Sequence, residues 1–432
     1  MRAKDASRKN NSSNISPHLF IAFRYLLGRA REGGRYLRGA AAGIAVSLVP
    51  IVVTLIVADG MIHGITDRYL ELGTGHIRIY DFFKKGLDNV KLLIEAKDGV
   101  RGAWMELDGM AVIAGKKGNT GAAIRAVEES FWQDPDTLKF LTVVDGQAGI
   151  AADNEALLGE ALAQTIGAEI GDMVRIMTVR VTEDGRNIPR MTPFKVKGIV
   201  SAGYRELDAL WCIISYNAGR RVFADGLSSS FLMVKITNPY KNSDAFADDL
   251  FSLLEPGYSA YTWKELQRTQ YSSYESTRQI LIFIMALIVI VAAVNVSSAT
   301  AMLALERRRD IAVLKAGGIS PASIRRIFVS GAFFTGVIGA FVGISIGLFI
   351  GVSINQIIAA LETLLNFFIG VFNKDKVKIL NPSYYLETIP IVIDWLAVFL
   401  IGLFTVLCSM LASWLPSHKA GSLKPLDILR KY

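Results

Sequence analysis

"GAAAGIAVSLVPIVVTLIVA", residues 39–58, runs for twenty positions without a charge. At about 1.5 Å per residue, a helix of that length spans about 30 Å, the thickness of a bilayer's hydrocarbon core. The composition agrees: 51% of the 432 residues are hydrophobic and the mean hydropathy is +0.36, too apolar for an ordinary soluble enzyme. Three further stretches, 279–305, 327–361 and 395–417, are equally free of charge. The sequence therefore predicts an α-helical membrane protein with four transmembrane helices, at 39–60, 279–305, 327–361 and 395–417. A secretory signal would place a shorter apolar core nearer the start. Here 38 residues carrying nine Lys or Arg come first, so the first run is expected to be a retained anchor.

The basic residues orient these spans. Residues 1–38 carry nine Lys or Arg against two acids, 306–326 six against two, and 418–432 four against one. The segment 362–394 has three against four acids, and 59–278 has 25 against 30. One arrangement satisfies every segment: both termini and the 306–326 loop are cytoplasmic, and 61–278 and 362–394 face outward. The net charge of +8 is thus a topology signal and implies no nucleic acid. Before the first span, Phe20, Phe23 and Leu27 share a helical face, with arginines mostly elsewhere. This suits an N-terminal cytoplasmic helix lying on anionic membrane lipid, although a plain basic flank would look the same.

The outward segment is long enough for one large or two small domains. It alternates as strands do in "HIRIYDF", "FKVKGIV" and "SSFLMVKIT". In "NEALLGEALAQTIGAEIGDMVRIM", Asn154 is expected to cap a helix ending near Gly167, and Gly171-Asp172 to turn into a strand over 173–177. "TEDGRNIPR" reads as a hairpin tip. The prediction is a large α+β extracytoplasmic domain inserted between helices 1 and 2.

The third run exceeds one crossing and is expected to continue as helix beyond the surface. Along it Gly336, Gly339, Gly343, Gly347 and Gly351 recur at three or four residues, a stripe for close packing within the chain or across a dimer. Trp395 and Trp414 bracket the fourth span as interfacial anchors. No phosphate loop ending in Gly-Lys-Ser/Thr occurs, the four histidines lack ligand spacing, and Cys212 and Cys408 lie in environments too different to pair. Gly343 to Gly347 matches a nucleophile elbow but lies mid-span with no strand before it. The polar Asn295, Ser297, Ser298, Ser345 and Asn355 suit interhelical hydrogen bonds, and no Asp, Glu, Lys or Arg lies within the four charge-free runs. No catalytic site, metal or cofactor is expected in this chain.

Between the second and third runs, "ERRRDIAVLKAGGISPASIRRIF" holds six basic residues, enough to keep it inside. The pattern between them predicts more: helix through Lys315, a break at Gly317-Gly318, then a restart with Ser320 as cap and Pro321 at the first helical position. Ile311, Leu314 and Lys315 group on one face. Ile311, Val313 and Leu314, if exposed, would form a small patch suited to helix-in-groove docking.

"IAFRYLLGRAREGG", "LLGEALAQTIGAEIGDMVRI", "FKVKGIVSAGYRELD", "NPSYYLETIPIVIDW" and "LPSHKAGSLKPLDILRKY" resemble, in order, landmarks of the lipoprotein-releasing ABC permeases of the LolC and LolE type. More distantly the chain is similar to MacB-like efflux permeases and FtsX-like proteins. The resemblance implies a non-catalytic permease of the bacterial inner membrane that dimerises with a second permease chain, as a homo- or heterodimer. It also implies a separate cytoplasmic ABC ATPase that binds ATP and Mg, lipoprotein cargo and a periplasmic carrier. On it, 306–326 is the loop that couples to the ATPase, through Glu306, Arg309, Ile311, Leu314, Lys315, Gly317 and Gly318. Ala126 stands where many members have Gly, and no carrier-binding hook is evident. A signalling scaffold that activates a cell-wall hydrolase remains the alternative of a different class.

Overall fold

The structure, a computed structural model, describes residues 34–83, 85–181, 187–223, 229–370, 386 and 388–422. It divides into two units, one of residues 1–59, 277–357 and 391–432, the other of 60–276 and 358–390. The proposed helix over Phe20 to Leu27 and the C-terminal tail beyond Ser422 lie outside the described residues.

Outside residues 69–267, the described helices are α1 (Gly34–Arg68), α2 (Arg268–Glu306), α3 (Arg308–Ala316), α4 (Pro321–Val352), α5 (Ile354–Gly370) and α6 (Trp395–Ser422). Four of them, α1, α2, α4 and α6, are long and apolar enough to cross a membrane. Ile44, Leu48, Val289, Val296, Ala332 and Val398 pack in their common core. The expectation of one continuous helix over 327–361 needs correction. The chain leaves helical geometry at Ser353, at φ −91° and ψ 8°, and α5 starts at Ile354. The break is shallow, because the Ser353 amide donates to Phe349 O at 3.1 Å and the Ile357 amide to Ser353 O at 2.9 Å.

In the second unit, ten strands form one sheet among the described residues: β1 (Ile77–Asp81), β2 (Val100–Ala114), β3 (Asn119–Val127), β4 (Thr142–Gly146), β5 (Glu155–Gly159), β6 (Met173–Val181), β7 (Asn187–Ser201), β8 (Trp211–Ser215), β9 (Ser229–Ile236) and β10 (Tyr258–Thr262). Their order is β10-β1-β9-β2-β3-β8-β5-β7-β4, with β6 against β2 and β7. The pairs β3–β8 and β5–β7 are parallel and the others antiparallel. The sheet is therefore mixed, and helices such as Pro239–Leu253 complete an α+β unit.

The helix expected from Asn154 is corrected at its start. Residues 155–159 are the strand β5, and the helix covers only Glu160–Ile166 before Gly167 ends it at φ +66°. Burial on both faces explains the difference. Leu157 packs with Trp104 and Phe131 on one side of the sheet, and Leu158 with Ile124 and Phe194 on the other. A strand buried on both sides shows a continuous apolar run, which periodicity cannot separate from helix. The hairpin β6–β7 pairs from Met173↔Lys195 to Val181↔Asn187, and its tip at 182–186 lies outside the described residues.

Candidate functional site

The elbow after α2 is built as its residue types dictate. Arg307, at φ −93° and ψ 18°, interrupts the helix between α2 and α3, a kink the sequence did not announce. Gly317 caps α3, Gly318 adopts φ +88°, and the Ser320 side chain accepts from the Ser323 amide with Pro321 in the first turn of α4. Ile311, Leu314 and Lys315 do share a face, but that face turns inward. Ile311 is only 1% exposed, packed among Leu37, Leu303, Ile324, Phe328 and Ala420. Lys315 donates its Nζ to Gly421 O at 2.9 Å, and Leu314 is half-buried. The expected exposed patch thus reduces to Val313, 57% exposed, beside the exposed Glu306, Arg309, Gly317 and Gly318. Ile311 thus has its partners at the ends of the neighbouring helices, whereas Val313 stays open to solvent.

The ends of α4 and α6 that flank the elbow are clamped to each other. A Cβ on Gly421 would meet Pro321 O at 2.8 Å, and the Arg325 guanidinium lies 4.7 Å from the Trp414 ring centroid. Upward from there the glycine stripe forms a seam. A Cβ at Gly339 would meet Ala41 O at 2.8 Å, at Gly343 Ala45 O at 2.8 Å, at Gly347 Val52 Cβ at 2.8 Å and at Gly351 Ile56 Cδ1 at 2.5 Å, all on α1. Gly336 faces Ser409 of α6 instead. The stripe is thus occupied within the chain. Sequence reasoning missed its counterpart on α6, where Thr405, Ser409, Ser413 and Ser417 recur every four residues and are buried. Their hydroxyls donate within their own helix, as in Ser409 Oγ to Thr405 O at 2.8 Å, so small side chains pack without stranded donors.

At the other end of these spans lies an ionic clasp that the charge-free runs concealed. Arg278 on α2 lies 3.2 Å from Asp59 of α1 and 2.7 Å from Asp394, whose carboxylate also caps α6 by accepting from the Ala397 amide. That backbone hydrogen bond, with Arg278, holds the Asp394 carboxyl below its ordinary range. The signal was present: Asp59, Arg278 and Asp394 are the first charges beyond three of the apolar runs.

Within the second unit, the segment after α1 is fastened to the sheet by buried charges. A π-helical turn, Tyr69–Thr74, follows α1. Its Glu71 meets His76 at 3.1 Å and Lys235 of β9 at 2.8 Å. Lys235 is fully buried and reaches Asp134 at 2.6 Å as well. Burial opposes ionisation of Glu71, but the His76 hydrogen bond and the Lys235 charge outweigh it and hold the carboxyl at about 2. Arg125 of β3 donates to Leu72 O and, through Nε at 2.7 Å, to the fully buried Glu106 of β2. Burial pushes the Glu106 carboxyl up, and Arg125 draws it back. His76 is fully buried, and its Nδ1 accepts from the Ile236 amide at 2.9 Å.

Two family models match the chain: the MacB-like periplasmic core domain over residues 39–251 and the FtsX-like permease C-terminal region over 282–425. Over 430 residues the chain is 26% identical to lipoprotein-releasing system transmembrane protein LolC of Neisseria meningitidis serogroup B, spanning 96% of this chain and 99% of that one. LolC of Xylella fastidiosa strain 9a5c is 24% identical over 419 residues, 95% of this chain and 98% of that one. Among solved structures, the periplasmic region of MacB from Actinobacillus actinomycetemcomitans aligns at 14% identity and a TM-score of 0.31, covering 47% of this chain and 95% of that one.

Proposed function

We propose, from the premise that this chain is a nearly full-length homologue of the LolC and LolE lipoprotein-releasing permeases, that it is the membrane subunit of an ABC transporter that frees lipoproteins from the inner membrane. The observation that carries the reading is the extent of the match, which takes in both the strand-rich unit and all four apolar helices. In this reading both termini and the elbow are cytoplasmic, the sheet is periplasmic, and the chain works beside a second permease. A separate ATPase supplies ATP hydrolysis, and a carrier takes the cargo.

The packing supports a mechanical role. A push on α3 would be felt by α1, α2, α4 and α6 together, because Ile311, Lys315 and Gly421 leave it no slack. The segment that follows α1 is held to the sheet by Glu71, Lys235 and Arg125. The ATPase would meet the exposed face of the elbow, Arg309, Val313 and the Gly317-Gly318 turn. Val313→Asp is expected to abolish co-purification with the ATPase while leaving the fold intact. Retained co-purification and retained lipoprotein release would sink the docking role.

Depletion tests the transport reading itself. Lipoproteins held back in the inner membrane are the expected outcome. A second reading, implied by the resemblance to FtsX-like proteins alone, is a scaffold that activates a cell-wall hydrolase. Filamentous cells with normal lipoprotein sorting would favour it.

A further inference from the structure

A groove of about 440 Å³ opens between the elbow ends of α2 and α6, entirely within the helical unit. Its floor on α2 is made of Ser297, Ala301 and Ala304, spaced four and three apart and so on one side of the helix. On α6 it is made of Pro416 and Ala420. Small side chains on both helices leave a channel where larger ones would have closed the contact. Leu305 and Leu415, 49% and 72% exposed, form its apolar rims.

The groove ends in two cations, Arg308 and Lys419. Both are exposed, and neither takes part in an ion pair among the described residues. Their neighbours are provided for, since Arg307 pairs with Asp310 at 3.1 Å and Lys315 bonds Gly421. Arg308 lies three residues past the last apolar residue of its run, at Leu305, and Lys419 two residues past Ser417. That is the depth at which a bilayer's phosphates lie when such runs fill its hydrocarbon core. An apolar channel that leads to paired cations at phosphate depth has the shape and polarity of a lipid. Basic pockets between transmembrane helices are where anionic head groups are held.

We propose that this groove binds an anionic glycerophospholipid, with an acyl chain along Ala301 and Ala304 and the phosphate between Arg308 and Lys419. Its occupancy fills the space between α2 and α6 at the root of the elbow and so sets how firmly α3 is held. The inner-leaflet assignment rests on the orientation proposed above; the binding chemistry does not.

The test is native mass spectrometry of the purified full-length protein after exchange with vesicles of phosphatidylglycerol or of phosphatidylcholine. Wild type is expected to retain phosphatidylglycerol over phosphatidylcholine, undisplaced by inorganic phosphate. Removing both cations (Arg308→Ala with Lys419→Ala) is expected to weaken retention about thirtyfold, two residues' worth of attraction to a charged surface. The charge-keeping swap (Arg308→Lys with Lys419→Arg) and the distant Arg326→Ala should retain it. Ala301→Leu, which plugs the channel and keeps both charges, should lose it. Equal retention in the double alanine variant overturns the site, and so does a shift in oligomeric mass in place of lipid loss, which would assign the groove to another protein chain. Displacement by inorganic phosphate overturns the lipid in favour of a small anion. Failure of lipoprotein release in cells would leave all these lipid readouts unchanged, so the two proposals fail separately.

Discussion

Replacing Gly343 by alanine tests whether α1 and α4 meet at backbone contact. A Cβ there would lie 2.8 Å from Ala45 O, 2.9 Å from Ala45 Cα and 2.9 Å from Leu48 Cβ. Non-bonded atoms prefer about 3.5–4.0 Å, and two of these three belong to the α1 main chain, which cannot step aside alone. The helices must part by several tenths of an ångström along the whole seam. Overpacking of this kind costs about 1–3 kcal/mol, and the better helix propensity of alanine returns at most about 1 kcal/mol. The net expectation is a loss of about 1–2 kcal/mol. Gly351 is the control, because its Cβ would press on Ile56 Cδ1 at 2.5 Å and on nothing else nearer than 3.4 Å. That atom is the free end of a side chain and can turn away, so Gly351→Ala is expected to be near neutral. Thermal unfolding in detergent, followed by tryptophan fluorescence, ranks the two. If Gly351→Ala falls as far as Gly343→Ala, or if neither falls, the seam is not the tight contact inferred.

Arg278→Ala strips a cation from Asp59, which is 3% exposed, and is expected to cost about 3 kcal/mol in the same melt; Arg278→Lys should recover part of it. Ile311→Ala should cost about 2–4 kcal/mol and Val313→Ala less than about 0.5 kcal/mol, because one fills a core and the other faces solvent. The Glu71 carboxyl ionises at about 2 in the fold against 4.5 when free, so the folded state binds fewer protons between those values. Its stabilisation is therefore complete above pH 4.5 and lost as pH falls toward 2; at about 2 kcal/mol after screening, it should vanish from the stability–pH curve of Glu71→Gln. Burial raises the Cys212 thiol to about 12, so maleimide should label Cys212 only on unfolding.

The apolar helices were legible in the sequence because a run of twenty uncharged residues has few other uses. Caps were legible for a similar reason: Ser320 before Pro321, and glycine at 167 and 318, each answer one local backbone demand. What escaped depended on partners far away in sequence. Ile311 looked like a docking residue because an apolar side chain on a charged helix reads as exposed until Leu37 and Ala420 are placed over it. Residues 155–159 looked helical because burial on both faces of a sheet erases the alternation that marks a strand. Glu71, Lys235 and Asp134 could not be grouped at all, since they lie far apart in sequence and only the fold brings them together.

The pairing of β1 carries a consequence for biogenesis. Its neighbours on either side are β9 and β10, so Ile77 waits for Val234 and Thr262. If the chain inserts as proposed, β1 would have both edges bare until β9 and β10, at residues 229–236 and 258–262, have followed it across. An open strand of that kind is a template for unwanted pairing. In the proposed orientation, a chain truncated before residue 229 would leave both edges of β1 uncovered and open to proteolysis.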